Sequence, residues 1–371
     1  MARARAAARP AQPVNAPSFG AANRVGPDAI GSFAHIVDVR TPSEFADDHV
    51  PHAVNAPVLS NEERVRVGTL HAQSSAFEAR KAGAALISRN IGVLLEAWRD
   101  MPRDFAPLVY CWRGGQRSRS LAHVMNEIGW RAVQLDGGYR AYRRYVVDQL
   151  THVPGRYDYR VVCGMTGTGK SRLLAALRDE GAQVLDLEAL ACHRGSLLGD
   201  LPEAPQPSQR RFESELLQSL RGFDAARPVF VESESRRIGR VQVPPSMVDA
   251  MRAAPCIRIE LSTPSRVALL KEEYAHFVRE PSLLASRLAT LIPLHGKATV
   301  QRWNDQARSG EFDAFVASLL SEHYDPAYGR AIERNFPNAV QAHSVVPDGI
   351  DAEAFRAAAR TLLKDFTKAP A

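Results

Sequence analysis

The sequence predicts a two-domain α/β protein in which each domain is built on a parallel sheet and the second carries a helical C-terminal part. The chain has 371 residues, a length more typical of two domains than of one. Short apolar runs alternate with helical patterns in both halves, and this alternation is typical of parallel sheets. Pro154 and Gly155 separate the two series. From about residue 264 to residue 366 the pattern is mainly helical.

The first series of elements defines a predicted domain over residues 26–152. Its apolar runs are short and bounded by turn residues, so we interpret them as buried strands. Thr41 or Ser43 is expected to cap the helix that follows the first run. The predicted strands are residues 35–40, 107–112 and 133–136, and the predicted helical segments are residues 61–100, 117–128 and 139–150.

The second series defines a predicted domain over residues 156–371. Its strands are predicted at residues 159–163, 183–187, 229–232 and 257–261, and its first helices at residues 170–178 and 208–221. Residues 1–25 contain prolines and have no periodicity, so we expect a disordered tail there. The absence of acidic residues before Asp28 leaves a transit peptide as the alternative for this segment.

Composition excludes several classes of protein. No apolar run approaches the ~18 residues that a membrane-spanning helix needs, so we expect no membrane association. A formal net charge of +6 is compatible with a polyanionic partner but does not require one. The cysteines form no C-x-x-C pair and match no zinc template, so a reducing cytoplasm is the expected location. Those cysteines are Cys111, Cys163, Cys192 and Cys256, of which the second and fourth are expected to be core residues.

The segment CWRGGQRS, residues 111–118, lies between a predicted strand and a predicted helix. Such a loop points backbone N–H groups inward, and the helix dipole adds positive potential. Arg113 and Arg117 are close in sequence, and adjacent glycines permit a tight turn. This setting favours a thiolate, which is the nucleophilic form of cysteine. We therefore predict that Cys111 is catalytic rather than an inert cysteine at a strand end, and that Arg113 and Arg117 are catalytic residues beside it.

The segment GMTGTGKS, residues 164–171, is a complete G-x-x-x-x-G-K-S phosphate-binding motif. It follows a predicted strand and opens a predicted helix, as the mechanism of this motif requires. Lys170 is expected to bridge phosphate oxygens, and Ser171 is placed to hold Mg²⁺. The predicted phosphate-binding residues are Gly164, Gly167, Thr168, Gly169, Lys170 and Ser171.

Further acidic and basic residues follow the neighbouring strands of the second domain. Glu232 and Glu234 end an apolar strand in the place where a metal- or water-binding carboxylate is expected beside a phosphate loop. A glutamate stands there instead of the more usual aspartate, so the metal role stays open. Another strand is followed by four candidate substrate contacts, with a solvated loop as the alternative: Asp186, Glu188, His193 and Arg194.

The first domain resembles rhodaneses, and the whole chain resembles tRNA 2-selenouridine synthases. The segment VDVRTPSEFADDHVPHAVNAP, residues 37–57, carries the rhodanese pattern, with His52 where glycine is common. CWRGGQRS with DGGYRAYRR, and in the second domain DLE, HRG, VESESRRIG and HYDPAY, resemble the selenouridine synthases. Cys192 stands where that family is expected to have asparagine. The rhodanese pattern is carried by Asp38, Arg40, Glu44, Phe45, His49, Pro51, Ala53 and Asn55.

The resemblance implies an enzyme that acts on tRNA with 2-thiouridine at the wobble position. The family replaces that sulfur by selenium from selenophosphate, through an S-geranyl intermediate made from geranyl diphosphate. It implies the phosphate loop as the diphosphate site, the cysteine loop as the selenium site, and a selenophosphate-producing enzyme as a partner. By analogy of fold, the seven-residue loop from Cys111 to Arg117 resembles that of related phosphatases, which admit a phosphate-sized anion, rather than the six-residue loop of thiosulfate-using rhodaneses.

Other classes of function remain open at this stage. A thiosulfate sulfurtransferase fused to an ATP-dependent kinase-like domain would turn over thiosulfate and ATP without tRNA. A phosphatase is a further alternative, because of the loop length. A non-catalytic RNA-binding module would bind tRNA without Cys111 or Lys170, and the basic helix at residues 139–150 is a candidate contact for tRNA phosphates.

Overall fold

The chain is described here from a computed structural model, in which residues 24–201 and 204–368 are placed. Two compact units divide between Asp148 and Gln149, within one helix. Each unit contains a five-stranded parallel sheet, so the predicted fold class is confirmed. No helix in the described ranges is long and apolar enough to cross a membrane.

The first unit has the strand order β1-β5-β4-β2-β3. Buried apolar residues such as Val37, Val109 and Leu121 fill the space between the sheet and its helices. The elements are β1 (Arg24–Val25), β2 (Ile36–Asp38), α1 (Pro42–Asp47), β3 (Val54–Asn55), α2 (Asn61–Gln73), α3 (Ala76–Ala97), β4 (Leu108–Tyr110), α4 (Gln116–Ile128), β5 (Val133–Leu135) and α5 (Gly138–His152).

Side-chain caps explain where the helices of this unit begin. Thr41 caps α1 with Glu44 in a reciprocal capping box, so Thr41 rather than Ser43 is the cap. The long helical pattern at residues 61–100 is two helices, because Ser75 caps α3 and begins a new one. Most of the predicted tail lies outside the described residues. Its last two members, Arg24 and Val25, form β1 and pair with β5, which corrects the prediction there.

The second unit has the strand order β12-β11-β6-β8-β7, and its C-terminal half is mainly helical. Its elements up to the last central strand are β6 (Tyr159–Cys163), α6 (Lys170–Asp179), β7 (Gln183–Leu185), α7 (Leu187–Ala191), α8 (Gln209–Arg221), β8 (Val229–Glu232), β9 (Arg237–Ile238), β10 (Val241–Gln242), α9 (Pro245–Ala253) and β11 (Cys256–Ile259). The remaining elements are α10 (Thr263–Glu273), α11 (Ala275–Arg279), α12 (Ser282–Ala289), α13 (Ile292–Arg308), α14 (Phe312–Leu319), α15 (Asp325–Asn335), β12 (His343–Val345) and α16 (Ala352–Lys368).

Two apolar cores stabilise the second unit. One lies between the sheet, α6 and α16, and includes Leu173, Phe230 and Phe355. The other lies among the five helices from α10 through α14 and is centred on Trp303. It continues into a π-helical turn at Leu320–Tyr324. Cys163 and Cys256 are buried at 1% and 6% exposure, as expected for small core residues. The helical half is therefore a packed subdomain with its own core.

Candidate functional site

The cysteine loop runs from the end of β4 to the start of α4, as predicted. The side chain of Cys111 is 3% exposed. The backbone N–H of Gly115 and the hydroxyl of Ser118 each donate to its Sγ atom at 3.2 Å. Such donors stabilise negative charge on sulfur, and a nucleophilic thiolate carries that charge. Two hydrogen-bond donors of the loop therefore point at the sulfur of Cys111.

Glycines let the cysteine loop pack against the segment that follows β5. Gly114 and Gly138 both have positive φ, at 63° and 58°. A Cβ atom at Gly138 would collide with the carbonyl oxygen of Cys111, so no larger residue fits there. The backbone N–H of Tyr139 donates to that same carbonyl at 2.8 Å. The glycine pair of the DGGYR segment thus fixes the backbone that carries the cysteine.

The two arginines predicted beside Cys111 differ in their surroundings. Arg117 donates to the Glu44 carboxylate at 2.8 Å, and its side chain is 12% exposed. Burial raises the pKa of Glu44, but the hydrogen bond and charge of Arg117 outweigh it and lower that pKa below its usual value. Arg113 is exposed and makes no ion pair or hydrogen bond within residues 24–201 and 204–368. Arg113 is therefore the arginine of this loop whose charge is not already compensated.

A buried ion pair lies at the end of β2, which is the neighbour of β4 in the sheet. The guanidinium of Arg40 holds both carboxylate oxygens of Asp38, at distances from 2.6 to 3.1 Å, and both side chains are buried. Asn55 donates to the backbone carbonyls of both residues at 3.0 Å.

His52 is exposed in a turn with φ at 66°, a conformation that favours glycine. The departure from glycine is thus strained but sterically possible at the surface.

The phosphate loop joins β6 to α6, also as predicted. Gly167 and Gly169 have φ values of 79° and 81°, which only glycine adopts readily. Thr168 is buried and its hydroxyl donates to the carbonyl of Met165 at 2.9 Å. A Cβ atom at Gly164 would approach the Thr168 Oγ1 to 2.5 Å. Gly164 and Thr168 therefore shape the loop, and the other predicted residues are left to contact a ligand.

A cavity of about 270 Å³ lies over this loop. The Lys170 ammonium donates to the carbonyl of Gly164 at 3.2 Å and lies 5.1 Å from the centre of the Tyr328 ring. The Ser171 hydroxyl donates to the Glu188 carboxylate at 3.0 Å. The predicted residues that line the cavity are Gly167, Gly169, Lys170, Ser171, Asp186, His193 and Arg194. One cavity thus brings together the phosphate loop and the residues that follow β7.

Glu232 and Glu234 lie behind the cavity rather than in its lining. Both are about 95% buried or more, and each has one carboxylate oxygen without a partner among the described residues. Burial, and then the charges of Asp186, Glu188 and Glu234, raise the pKa of Glu232 well above its usual value. Burial, followed by the charge of Glu188, raises the pKa of Glu234 to about 8, although Lys170 opposes this shift. These carboxyls therefore hold protons at a pH where exposed glutamates have lost them.

The residues after β7 are held in place by local contacts. Asp186 caps α7 and pairs with Arg178 at 3.2 Å. His193 is buried, accepts from the backbone N–H of Gly195 at 3.1 Å, and has its Nε2 3.5 Å from Asp200. Burial, with the charge of Arg287, lowers its pKa despite the opposing charge of Asp200.

Arg194 and Cys192 lie in the same loop after α7. Arg194 pairs with Glu273 at 3.5 Å and lies over the Tyr274 ring, so its guanidinium is fixed at the cavity wall. Cys192 has φ at 47° and ψ at 46° and ends α7 in the left-handed region, where asparagine is more favourable than cysteine. That backbone conformation explains the asparagine expected from the family resemblance, and it requires no substrate contact.

Sequence reasoning missed the residues that the helical subdomain adds to the site. Glu273, Tyr274 and Tyr328 line the cavity. Arg266 is buried, donates to the carbonyl of Thr166 in the phosphate loop at 2.9 Å and pairs with Asp325 through two hydrogen bonds. Asp325 and Tyr328 belong to the HYDPAY segment, for which the sequence alone predicts no role.

A magnesium ion is compatible with the phosphate loop. The Ser171 hydroxyl and the Glu188 carboxylate are adjacent oxygen groups, which are the ligands that Mg²⁺ prefers. In the part of the chain that the structure describes, no group of three or more His, Cys, Asp or Glu side chains is arranged to hold a metal ion. An ion bound here would therefore need phosphate oxygens of a ligand to complete its coordination.

Comparison with known proteins gives consistent matches for both units. A family described as "tRNA 2-selenouridine synthase AAA domain" matches residues 157–283, and "Rhodanese-like domain" matches residues 27–145. The tRNA 2-selenouridine synthase of Sulfurovum sp. (strain NBC37-1) is 32% identical and covers 81% of this chain and 89% of its own length. That of Marinobacter nauticus (strain ATCC 700491 / DSM 11845 / VT8) is 36% identical, covering 79% and 87%.

Solved structures also match, among them one at 30% sequence identity. It is the N-terminal domain of a putative ATP/GTP binding protein from Clostridium difficile 630. It is 30% identical, covers 33% of this chain and 98% of that chain, and has a TM-score of 0.31.

Proposed function

This chain belongs to the tRNA 2-selenouridine synthase family, and we propose that it exchanges sulfur for selenium at C2 of the wobble 2-thiouridine in tRNA, in two steps at two sites. The protein is an enzyme and its chemistry involves selenium. We assign an alkylation step to the phosphate-loop cavity and a selenium step to the cysteine loop. The cytoplasm, where a reduced thiol persists, is the proposed location.

The first step takes place at the phosphate loop with geranyl diphosphate. The sulfur of 2-thiouridine attacks the allylic C1 carbon, a carbon–sulfur bond forms and the C1–oxygen bond breaks. The electron pair leaves with diphosphate, and the base loses its N3 proton. Lys170 and the backbone N–H groups of the loop stabilise the negative charge that develops on the leaving diphosphate. The observation that carries this step is the cavity lined by Lys170, Ser171 and Arg194, which offers two cations and a hydroxyl to a diphosphate.

The second step takes place at the cysteine loop with selenophosphate. Selenium bonds to C2, the C2–sulfur bond breaks, and the geranyl thiolate leaves and takes up a proton. Water then cleaves the phosphorus–selenium bond and releases phosphate. The loop N–H groups around Cys111 and the uncompensated guanidinium of Arg113 would bind the tetrahedral anion. A selenophosphate-producing enzyme is the proposed upstream partner.

Magnesium would be held by Ser171, with Glu188 beside it, and would add positive charge to the departing diphosphate. Glu232 accepts from the backbone N–H of Glu188 at 2.7 Å. This bond fixes the start of α7, and with it the direction of the Glu188 carboxylate. Glu232 is therefore proposed to position a residue of the site rather than to bind the ion itself.

The decisive experiment supplies purified protein with thiolated tRNA and geranyl diphosphate and analyses the nucleosides by mass spectrometry. Wild-type protein should form S-geranyl-2-thiouridine, and adding selenophosphate should convert it to 2-selenouridine. Lys170→Ala should abolish the first product, because the diphosphate loses its principal cation. Lys297→Ala, on α13 outside the cavity lining, is the matched control. Geranylation at the wild-type rate by Lys170→Ala would disprove the assignment of the phosphate loop.

A further inference from the structure

A second cavity adjoins the phosphate-loop cavity inside the helical subdomain. Its volume is about 60 Å³, several times what one water molecule needs. The two cavities share four lining residues, Thr166, Ser196, Leu270 and Tyr274. The two cavities therefore adjoin each other along these four side chains.

The lining of the second cavity is almost entirely apolar. Phe277, Leu284, Phe315 and Leu320 are buried members of the helical core and also line this space. Protein interiors are close-packed, and an unfilled apolar space of this size is destabilising. Water is a poor occupant here, because few polar groups are available as its partners.

The polar groups of the shared rim are few and partly used. The hydroxyls of Ser196 and Tyr274 are 3.3 Å apart and bond to each other. The Thr166 Oγ1 is buried and has no partner among the described residues. A nucleoside base, which presents several donors and acceptors at its edge, would leave most of them unsatisfied in this space. The lining suits a hydrocarbon better than the adenine of ATP.

We propose that this apolar cavity receives the hydrocarbon chain of the diphosphate whose head group binds at Lys170, and that its size sets the accepted chain length. The inference rests on the proposed alkylation at the phosphate loop. With the head in one cavity and the chain in the other, the reacting C1 carbon lies at the shared rim. Tyr274 and Leu270 then line the space in which sulfur attacks C1. They exclude water that would hydrolyse the allylic diphosphate.

Binding measurements on the whole protein separate the contribution of the diphosphate head group to affinity from that of the hydrocarbon chain. By calorimetry, geranyl diphosphate should bind at least about tenfold more tightly than inorganic pyrophosphate, because burial of the chain adds affinity. Val316→Trp fills the cavity from α14 and should remove most of that advantage. Its affinity for pyrophosphate should stay within about twofold of wild type, since the head-group site is unchanged. Val340→Trp, the same change at an 82% exposed position outside the lining, should keep the advantage.

A cavity-enlarging variant keeps the test decisive if Val316→Trp fails to fold. Phe312→Ala removes a partly exposed ring from the lining, so the ratio of farnesyl to geranyl diphosphate affinity should rise by about tenfold. An unchanged ratio would overturn the inference.

The same binding data distinguish the failure of this inference from the failure of the proposed function. Pyrophosphate that binds wild type and is lost in Lys170→Ala, together with no gain from the geranyl chain, rejects the chain site alone. ATP that competes better than geranyl diphosphate also rejects the chain site, because the cavity would then prefer a nucleoside. If neither pyrophosphate nor geranyl diphosphate binds wild type, the proposed function fails and the inference fails with it.

Discussion

The carboxyls of Glu232 and Glu234 show how much individual residues of this site are shaped by burial. Both are enclosed beside the phosphate loop, and both have raised pKa values. A buried carboxyl with a raised pKa binds its proton in the folded state at pH values where the unfolded chain has released it. Burial of these two residues therefore lowers the free energy of unfolding by an amount that depends on pH. The charge of Lys170 reduces this cost at Glu234.

This cost should appear as a loss of stability with rising pH. The folded state holds more protons than the unfolded state between about pH 5 and about pH 8, so the free energy of unfolding should fall across that window. Glu234→Gln should flatten the dependence, because glutamine has no proton to lose. Urea denaturation measures it at each pH, followed by tryptophan fluorescence with Trp98, Trp112 and Trp130 of the first unit changed to phenylalanine, so that the buried Trp303 of the second unit gives the signal. Glu311→Gln, at an exposed position of the same unit, should leave the slope as in wild type.

Cys111 gives the second prediction at this scale. Cys111→Ala should block selenium incorporation and spare geranylation, so S-geranyl tRNA should accumulate when both donors are supplied. Mass spectrometry of the nucleosides reads both products. Cys192→Ala, outside both loops, is the matched control. Normal yields of 2-selenouridine from Cys111→Ala would mean that this cysteine is structural.

The anion preference of the same loop can be tested in the selenation assay. Phosphate and arsenate should inhibit at lower concentrations than thiosulfate, because the loop from Cys111 to Arg117 has the length that admits a phosphate-sized anion. Stronger inhibition by thiosulfate would contradict the argument from loop length and leave the family assignment intact.

At the scale of elements, the central strands and the helices that bury one face were predictable from the sequence. β6 and β8 match the predicted residues 159–163 and 229–232, because each is a short and mostly apolar run in which only Arg160 and Glu232 are charged. β1 and β3 were missed, since strands of two residues have no periodicity to detect. The hairpin β9–β10 was missed for the same reason. β12 was hidden within a segment predicted as helical, because it is a three-residue edge strand with only one buried position.

The loops of the site were predictable because their chemistry is local in sequence, whereas the cavity walls were not. The residues from Gly164 to Ser171 form one continuous motif. Glu273, Tyr274 and Tyr328 reach the cavity from α10, from the residue after it and from α15, about 100 or more residues further along the chain. Only the packing of the helical subdomain brings them there, and no short pattern in the sequence encodes that packing.

The ion pair between α10 and α15 yields a prediction about how elements hold the loop. Asp325→Ala leaves the buried Arg266 without its partner, so its bond to the Thr166 carbonyl should weaken and the phosphate loop should lose its shape. Steady-state kinetics of geranylation should show KM for geranyl diphosphate raised by about tenfold, with kcat changed much less. Asp325→Glu should restore part of the loss.

Glu322→Ala is the matched control, because it breaks a surface ion pair with Arg302 in the same subdomain and lies outside both cavity linings. An unchanged KM in Asp325→Ala would show that Arg266 does not position the loop.

At the scale of the whole molecule, the net charge of +6 bears on tRNA binding. Affinity should fall steeply with salt, because phosphate contacts dominate such interfaces. Arg140 and Arg144 lie exposed one turn apart on α5, and changing both to glutamine should reduce the slope of log affinity against log salt by about one per arginine. Filter binding over a series of salt concentrations measures this slope. Arg99→Gln with Arg103→Gln, at exposed positions outside that helix, is the control. Affinity that is independent of salt would contradict a phosphate-based interface.

The contact between Gly169 and Phe355 has a consequence for how the protein is made on the ribosome. A Cβ atom at Gly169 would collide with the Phe355 ring, so the phosphate loop closes directly against α16. Phe355 follows Gly169 by 186 positions. At roughly 5–20 residues per second, a nascent chain therefore carries an uncovered phosphate loop for about 10–40 s before its packing partner is synthesised. During translation, this side of the loop therefore stays uncovered until α16 has been made.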